Sequence, residues 1–237
     1  MKIEVLYPEI CNLFGELANV RYLKKSCPEL EIVETDLKSR PRFLDEPVGL
    51  VYMGSTTERG LKLVVEALRP YREELIARID AGQLMLVTGN ALDVFGRSAK
   101  SDWGLELDCL GLFQTDASYQ MLKRHNSMFL GKFEDMTIVG FKSLFGLTSG
   151  APDEDALFQT QRGVGRNAET KAEGFRRNNL LATYLIGPLL PMNPPFAKYL
   201  LRKMGLPDAL AFEETAQAAY ALRVKEFEDP GMDMIYH

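Results

Sequence analysis

Two short apolar runs constrain this chain more than any other feature. "VGLVYMG" (48–54) and "LMLV" (84–87) are strand-length hydrophobic stretches with no polar alternation. A strand with one wet face alternates between polar and apolar residues. A strand without alternation is covered on both faces, as in a parallel sheet between helical layers. The intervening segment agrees. Thr57 opens a stretch in which Leu61, Val64, Val65, Leu68, Leu75 and Ile79 recur at three- and four-residue steps, the mark of one long helix with a single apolar face. "KIEVLY" (2–7), "LEIVE" (30–34) and "LLATYLIG" (180–187) add strands, and residues 15–23 read as a helix capped by Asn12. Alternation of this kind predicts an α/β fold of three layers, a mostly parallel sheet flanked by helices.

Beyond Gly96 the texture changes. "WGLELDCLGLF", "YQMLKRHNSMFLGKF" and "MTIVGFKSLFG" are shorter, mixed or alternating runs with glycine-bearing turns, which predict an added antiparallel section. "GVGRNAETKAEG" (163–174) reads as a turn or mobile loop. "GPLLPMNPP" holds four prolines within eight residues and stops regular strand pairing. "FAKYLLRKMG" and "EETAQAAYALRVKEFE" then read as closing helices. No internal repeat or low-complexity linker interrupts the chain, so residues 1–237 are expected to form a single domain.

Composition excludes several functions. The net charge of −5 and the absence of a basic run argue against nucleic-acid binding through phosphate contacts. No apolar segment approaches the roughly 20 residues that cross a bilayer, and the N-terminus lacks a signal-peptide core, so a cytoplasmic location is expected. The three cysteines, Cys11, Cys27 and Cys109, are widely spaced and odd in number, which suits reduced thiols. With only two histidines, His125 and His237, the chain has no zinc-ligand pattern. No metal or cofactor is implied.

"LVTGNALDVFG" (86–96) reads as strand, tight turn and amphipathic helix, the geometry that presents a catalytic side chain at the carboxyl end of a sheet strand. This turn and several flanking stretches resemble the class I glutamine amidotransferases of the CobB/CobQ type. "YPEICNLFGELANVRYL" (7–23) is similar to that family's opening pattern. "GVGRNAETKAEG" resembles its Gly-Tyr-Gly-Asn-Asn loop with the following Lys and Glu-Gly. "ATYLIGPLLPMNP" resembles its Gly-Thr-Tyr-Leu-His-Gly-Pro stretch, and "IVGFKSLFGLT" (138–148) sits where the family has Gly-Phe-Glu-Asn-His. The likeness is strongest to glutaminase subunits that pair with a Mur-ligase-like protein in amidating lipid II. Such a protein is therefore the implied partner, with glutamine or another small molecule as the implied ligand.

In that family a cysteine at the turn attacks glutamine and a histidine near the chain's end activates it. A thiol with a pKa near 8.5 needs such a base, and the tetrahedral intermediate needs backbone N–H donors. The resemblance places the cysteine position on Gly89 and the histidine position on Ile186. The glycine turn that helps hold glutamine appears as Gly54-Ser55-Thr56, and the substrate-binding arginine falls on Lys123. Nucleophile and base are both missing, so no catalytic residue is assigned. The expected cleft residues are Gly54, Ser55, Thr88, Gly89, Asn90, Asp93, Lys123 and Ile186.

Substitutes for the lost pair are poor. Cys109 reads as a buried strand residue, Cys11 has no histidine to serve it, and Thr88 is inert without a base. His125 reads as a surface histidine on a basic edge, and Asp93 as a ligand-facing carboxylate or, more simply, a first-turn acid favoured by the helix dipole. Glu58-Arg59 reads as a solvated pair, and Glu16 and Asn19 as polar contacts or caps beside the first loop. The sequence thus predicts a subunit without glutaminase activity that binds or scaffolds a partner. Left open are an active glutaminase, another reaction on the same fold, and a metabolite-sensing module.

Overall fold

In the computed structural model, which describes residues 1–236, the two apolar runs become neighbouring parallel strands; His237 lies outside the described residues. Strands β1 (Lys2–Leu6), β2 (Glu31–Thr35), β3 (Leu50–Met53) and β4 (Met85–Thr88) alternate with helices α1 (Ala18–Ser26), α2 (Glu58–Leu68) and α3 (Arg72–Asp80). Successive side chains on a strand point to opposite faces, and the core divides accordingly. Leu6, Val51, Met53, Met85 and Val87 share one core with Leu61, Val64, Val65 and Leu68 of α2 and with Leu75 and Ile79 of α3. Ile3, Val5, Tyr52 and Leu86 share the other with Val20 and Leu23 of α1. Each of these aliphatic side chains contributes on the order of 1.5–3 kcal/mol by leaving water.

Two helices differ from the sequence reading. The long helix after Thr57 is broken: α2 ends at Leu68, and a 3-10 turn over Arg69–Tyr71 redirects the chain into α3. Pro70 causes this, having no N–H to donate and a ring that crowds the preceding turn. The first helix starts at Ala18, because Phe14 and Gly15 stand at φ of 64° and 72°, outside the right-handed helical region. Asn12 still acts just ahead of it, its Oδ1 accepting the Leu17 N–H at 3.0 Å.

The added section comprises β5 (Ser98–Ser101), β6 (Glu106–Asp108), β7 (Asp116–Tyr119), β8 (His125–Phe133), β9 (Met136–Leu144), β10 (Gly146–Ser149), β11 (Phe158–Arg162) and β12 (Ala172–Glu173). It forms two sheets, one ordered β10-β7-β5-β6, the other built on the antiparallel β8–β9 hairpin. The first sheet is mixed, since β5 and β7 run parallel. The chain then returns through β13 (Phe175–Arg177) and β14 (Leu180–Thr183) to complete a six-stranded sheet ordered β13-β14-β4-β3-β1-β2, parallel except at β13. Helices α4 (Leu189–Met192), α5 (Pro194–Lys203) and α6 (Glu213–Glu228) follow, and β15 (Ile235–Tyr236) pairs with β8. Pro194 and Pro195 open α5, where a missing N–H leaves nothing unsatisfied.

The stretch 163–174 is pinned rather than mobile. Arg166 is buried against Asp153 at 2.9 Å and stacks 4.7 Å over Phe175. Beside it, the ammonium of Lys142 donates to the carbonyls of Val164 (2.9 Å) and Gly165 (2.7 Å) and lies 3.4 Å from the Glu173 carboxylate. Both side chains are fully buried. Glu173 also accepts from Thr183 Oγ1 (2.7 Å) and from the Tyr184 N–H (3.0 Å), so one ion pair ties β9, the 163–167 turn, β12 and β14 together.

Candidate functional site

The loops after β1, β3, β4 and β14 meet at the carboxyl edge of the parallel sheet, where open α/β sheets present ligand sites. They enclose a cavity of about 210 Å³ lined by Leu13, Phe14, Ser55, Thr56, Thr57, Glu58, Gly89, Asn90, Arg124, Ser143, Leu144, Phe145, Tyr184 and Ile186. Of the eight residues expected there, Ser55, Gly89, Asn90 and Ile186 line it. Gly54, Thr88, Asp93 and Lys123 do not.

Each displacement has a physical reason. Gly54 lies behind the wall: a Cβ there would stand 2.5 Å from the Cys11 carbonyl, so glycine lets the first loop close onto the end of β3. Thr88 is fully buried, its Oγ1 3.0 Å from the Tyr52 hydroxyl. That hydroxyl donates to the Glu16 carbonyl (2.9 Å) and accepts from Asn19 Nδ2 (3.0 Å). Glu16 and Asn19 are indeed polar contacts: Glu16 Oε1 accepts the Gly187 N–H at 2.7 Å, and Asn19 Oδ1 accepts the Leu190 N–H at 2.8 Å. This network ties the backbone that follows Ile186 to the first loop and to α1. Burial pushes the Glu16 carboxyl above its usual range.

Asp93 is neither ligand-facing nor a helix-dipole acid. Residues Gly89–Phe95 form a wholly buried 3-10 stretch rather than an amphipathic helix, and the Asp93 carboxylate accepts the hydroxyls of Tyr119, Tyr184 and Thr148 beneath the cavity. Burial pushes its pKa up to about 6, although the three hydroxyls favour the charged form. A folded-state pKa raised above the unfolded value stabilises the protein below pH 4, and that contribution is lost as pH rises toward 6. Stability is therefore expected to fall by on the order of 2–3 kcal/mol between pH 4 and 6.5 through this group, and Asp93→Asn to flatten that slope in pH-dependent thermal melts.

Lys123 is exposed on the β7–β8 loop, and its neighbour Arg124 reaches the cavity instead, with its guanidinium 4.6 Å over the Phe145 ring. Glu58 also lines the cavity, whereas Arg59 beside it is exposed. Neither Arg124 nor Glu58 has an ion-pair partner among the described residues. Phe14, Ser143, Phe145 and Tyr184 lie in stretches that carry the family resemblance, but the sequence reading did not place them in the cleft.

The turn itself keeps an elbow's backbone without its side chain. Gly89 stands at φ 65°, the left-handed region that a strand-to-helix elbow imposes on its nucleophile. A Cβ there would lie 2.3 Å from Ser55 Cβ and 3.2 Å from Ile186 Cγ2. Ser55 thus fills the space a nucleophile would occupy, with its Oγ donating to the Leu13 carbonyl at 2.9 Å. Beside it, the Thr56 N–H donates to Asn90 Oδ1 at 3.1 Å.

Among the described residues, no thiol and no imidazole lines the cavity. Burial pushes the thiols of Cys11 and Cys109 up to about 12; burial, then hydrogen bonding to Glu29, pushes Cys27 to about 11. At neutral pH such thiols are protonated and unreactive. His125 is half-buried at the start of β8 rather than on the surface. Its Nε2 lies 3.1 Å from Ser127 Oγ, and burial and then Lys142 lower its pKa.

The glutamine amidotransferase fold recurs among solved structures. One glutamine amidotransferase superposes with a TM-score of 0.57 at 12% identity, covering 86% of this chain and 99% of the other. A second, from Thermotoga maritima, gives 0.51 at 10% identity, covering 95% and 94%. In sequence the chain is similar to the lipid II isoglutaminyl synthase (glutamine-hydrolyzing) subunit GatD of Staphylococcus aureus. The two are 25% identical over 204 residues, which span 85% of this chain and 83% of that one. The Streptococcus pneumoniae subunit of the same name is 24% identical over 205 residues, 83% and 77% of the two chains. The CobB/CobQ-like glutamine amidotransferase domain matches residues 2–194, and the chain belongs to that family.

Proposed function

We propose that this chain is a GatD-like subunit of lipid II amidation that docks with a Mur-ligase-like partner in the cytoplasm and hydrolyses no glutamine itself. The observation that carries this reading is the packing of Ser55 into the space beside Gly89, with Ile186 closing the same wall. Covalent amide hydrolysis needs a nucleophile at the elbow and a base beside it. Here the first position has no side chain, the second is an alkyl group, and the three thiols lie buried away from the cavity. The similarity to GatD over most of both chains supports a role in the same complex, with the cleft turned from catalysis to binding.

The decisive measurement is ammonia release from glutamine by the purified chain, alone and mixed with its Mur-ligase-like partner. Background rates in both cases are expected. Ammonia production above background in either case would sink the proposal, and its survival after replacement of Cys11, Cys27 and Cys109 would establish a nucleophile other than a thiol. Failure to co-purify with the Mur-ligase-like protein would remove the scaffolding half of it.

A further inference from the structure

The β8–β9 hairpin is covered over only part of one face. It pairs Leu130 with Val139, Met128 with Phe141 and Asn126 with Ser143, and these six side chains share that face because direction alternates along a strand. Phe227 of α6 packs against Leu130 and Val139 in a small core. Past that core the hairpin and α6 leave a cavity of about 500 Å³, walled by Met128, Phe141, Phe227 and Met232. Its size falls within the roughly 300–1,000 Å³ of small-molecule sites, whereas the cleft at the sheet edge measures about 210 Å³. Ser143 alone lines both cavities, so the two are separate sites on either side of β9.

The outer wall is held in place. Arg162 donates to the carbonyls of Phe227 (2.5 Å), Asp229 and Met232 (2.8 Å), which pins the chain after α6 over the hairpin. Arg223, Phe227 and Met232 all follow residues 2–194, so this wall lies outside the part of the chain that matches the family domain. Arg223 stands one turn before Phe227 on the same side of α6 and is half-buried. Its guanidinium has five N–H donors, and its one acceptor among the described residues is the Met192 thioether at 3.6 Å, a weak one. It has no ion-pair partner among the described residues. The other charges differ. The Lys142 ammonium is spent on Val164, Gly165 and Glu173, and Glu226 is exposed at the rim, where water screens it.

We infer that the cavity between the β8–β9 hairpin and α6 is a second ligand site, for a small monocarboxylate with an apolar body. Arg223 receives the carboxylate, since a guanidinium with unspent donors matches it through paired N–H···O bonds. Phe141 and Phe227 enclose the body, and the unbranched side chains of Met128 and Met232 adapt to a ring or an alkyl chain. Glu226 at the rim opposes a second negative charge, which favours one carboxylate over two. The site is independent of the proposed function, because no residue of the altered elbow takes part in it.

Calorimetric and thermal-shift titrations of the full chain test this with 3-phenylpropionate and hexanoate, each set against the alcohol of the same skeleton. At least one acid is expected to raise the melting temperature by about 3 °C at roughly ten times its Kd, and to bind at least about tenfold more tightly than its alcohol. Arg223→Met keeps an unbranched stem and removes the charge. It is expected to weaken the acid at least about tenfold and to leave the alcohol unchanged, and Arg223→Gln is expected to do the same if the methionine variant melts too low to titrate. Arg124→Met, on the other cavity, is expected to leave the acid's affinity unchanged. Binding lost in Arg124→Met but kept in Arg223→Met would place the acid in the cleft and overturn the inference. No binding of either acid, equal affinity for acid and alcohol, or an acid affinity indifferent to both Arg223 variants would overturn it too. None of these outcomes bears on ammonia release, so the proposed function stands or falls separately.

Discussion

Gly89→Cys in the otherwise unchanged protein is expected to cost about 3 kcal/mol of stability, read as a melting temperature lower by roughly 6–12 °C. Two effects add. A side chain at φ 65° carries a left-handed penalty of about 1–2 kcal/mol, and the new Cβ would meet Ser55 Cβ at 2.3 Å and Ser55 Cα at 3.2 Å. Neither contact can be relieved by a rotamer change, because the backbone fixes the positions of Cα and Cβ. Gly89→Cys combined with Ser55→Gly is expected to recover most of the overpacking term, so the two substitutions should be strongly non-additive. A fully additive double variant would show that Ser55 does not fill the nucleophile's space. The double variant should still release no ammonia, because Ile186 supplies no base.

The Lys142–Glu173 pair is expected to give the other large effect. Glu173→Gln leaves the Lys142 ammonium buried with two carbonyls but no counter-charge, and a loss of about 3–5 kcal/mol follows. Lys142→Met combined with Glu173→Gln removes both charges and is expected to be far milder than the single change, since the cost of desolvating two buried ions offsets most of their mutual attraction. Denaturant midpoints of the single and double variants decide this. A Glu173→Gln variant as stable as the wild type would mean the pair is not buried in solution.

The layering of the fold was legible because unbroken apolar strands and a three-and-four helical repeat admit few arrangements. The break in the helix after Thr57 was legible too, in Pro70, but the apolar periodicity ran through it and masked it. The left-handed residues Phe14 and Gly15 were harder to read, because a phenylalanine gives no hint of positive φ. At the site, motif position points to Ser55, Gly89, Asn90 and Ile186, which line the cavity. It misplaced Asp93 and Thr88, whose partners, Tyr119, Tyr184, Thr148 and Tyr52, come from distant segments that only the tertiary structure brings together. Arg124 and Lys123 are adjacent in sequence, and a loop's twist alone decides which one faces the cleft.

The bonds from Glu16 to Gly187 and from Asn19 to Leu190 each join residues 171 apart in sequence. During synthesis the first loop and α1 leave the ribosome long before their acceptor groups meet these donors. β1, β2 and β3 can pair early, but the cleft has no finished wall until the segment after β14 arrives. Contacts of such long span make ring closure slow relative to local structure. The cleft is therefore among the last parts of the molecule to take shape, and a nascent chain truncated before β14 would carry β1 to β4 and lack the wall formed by Tyr184 and Ile186.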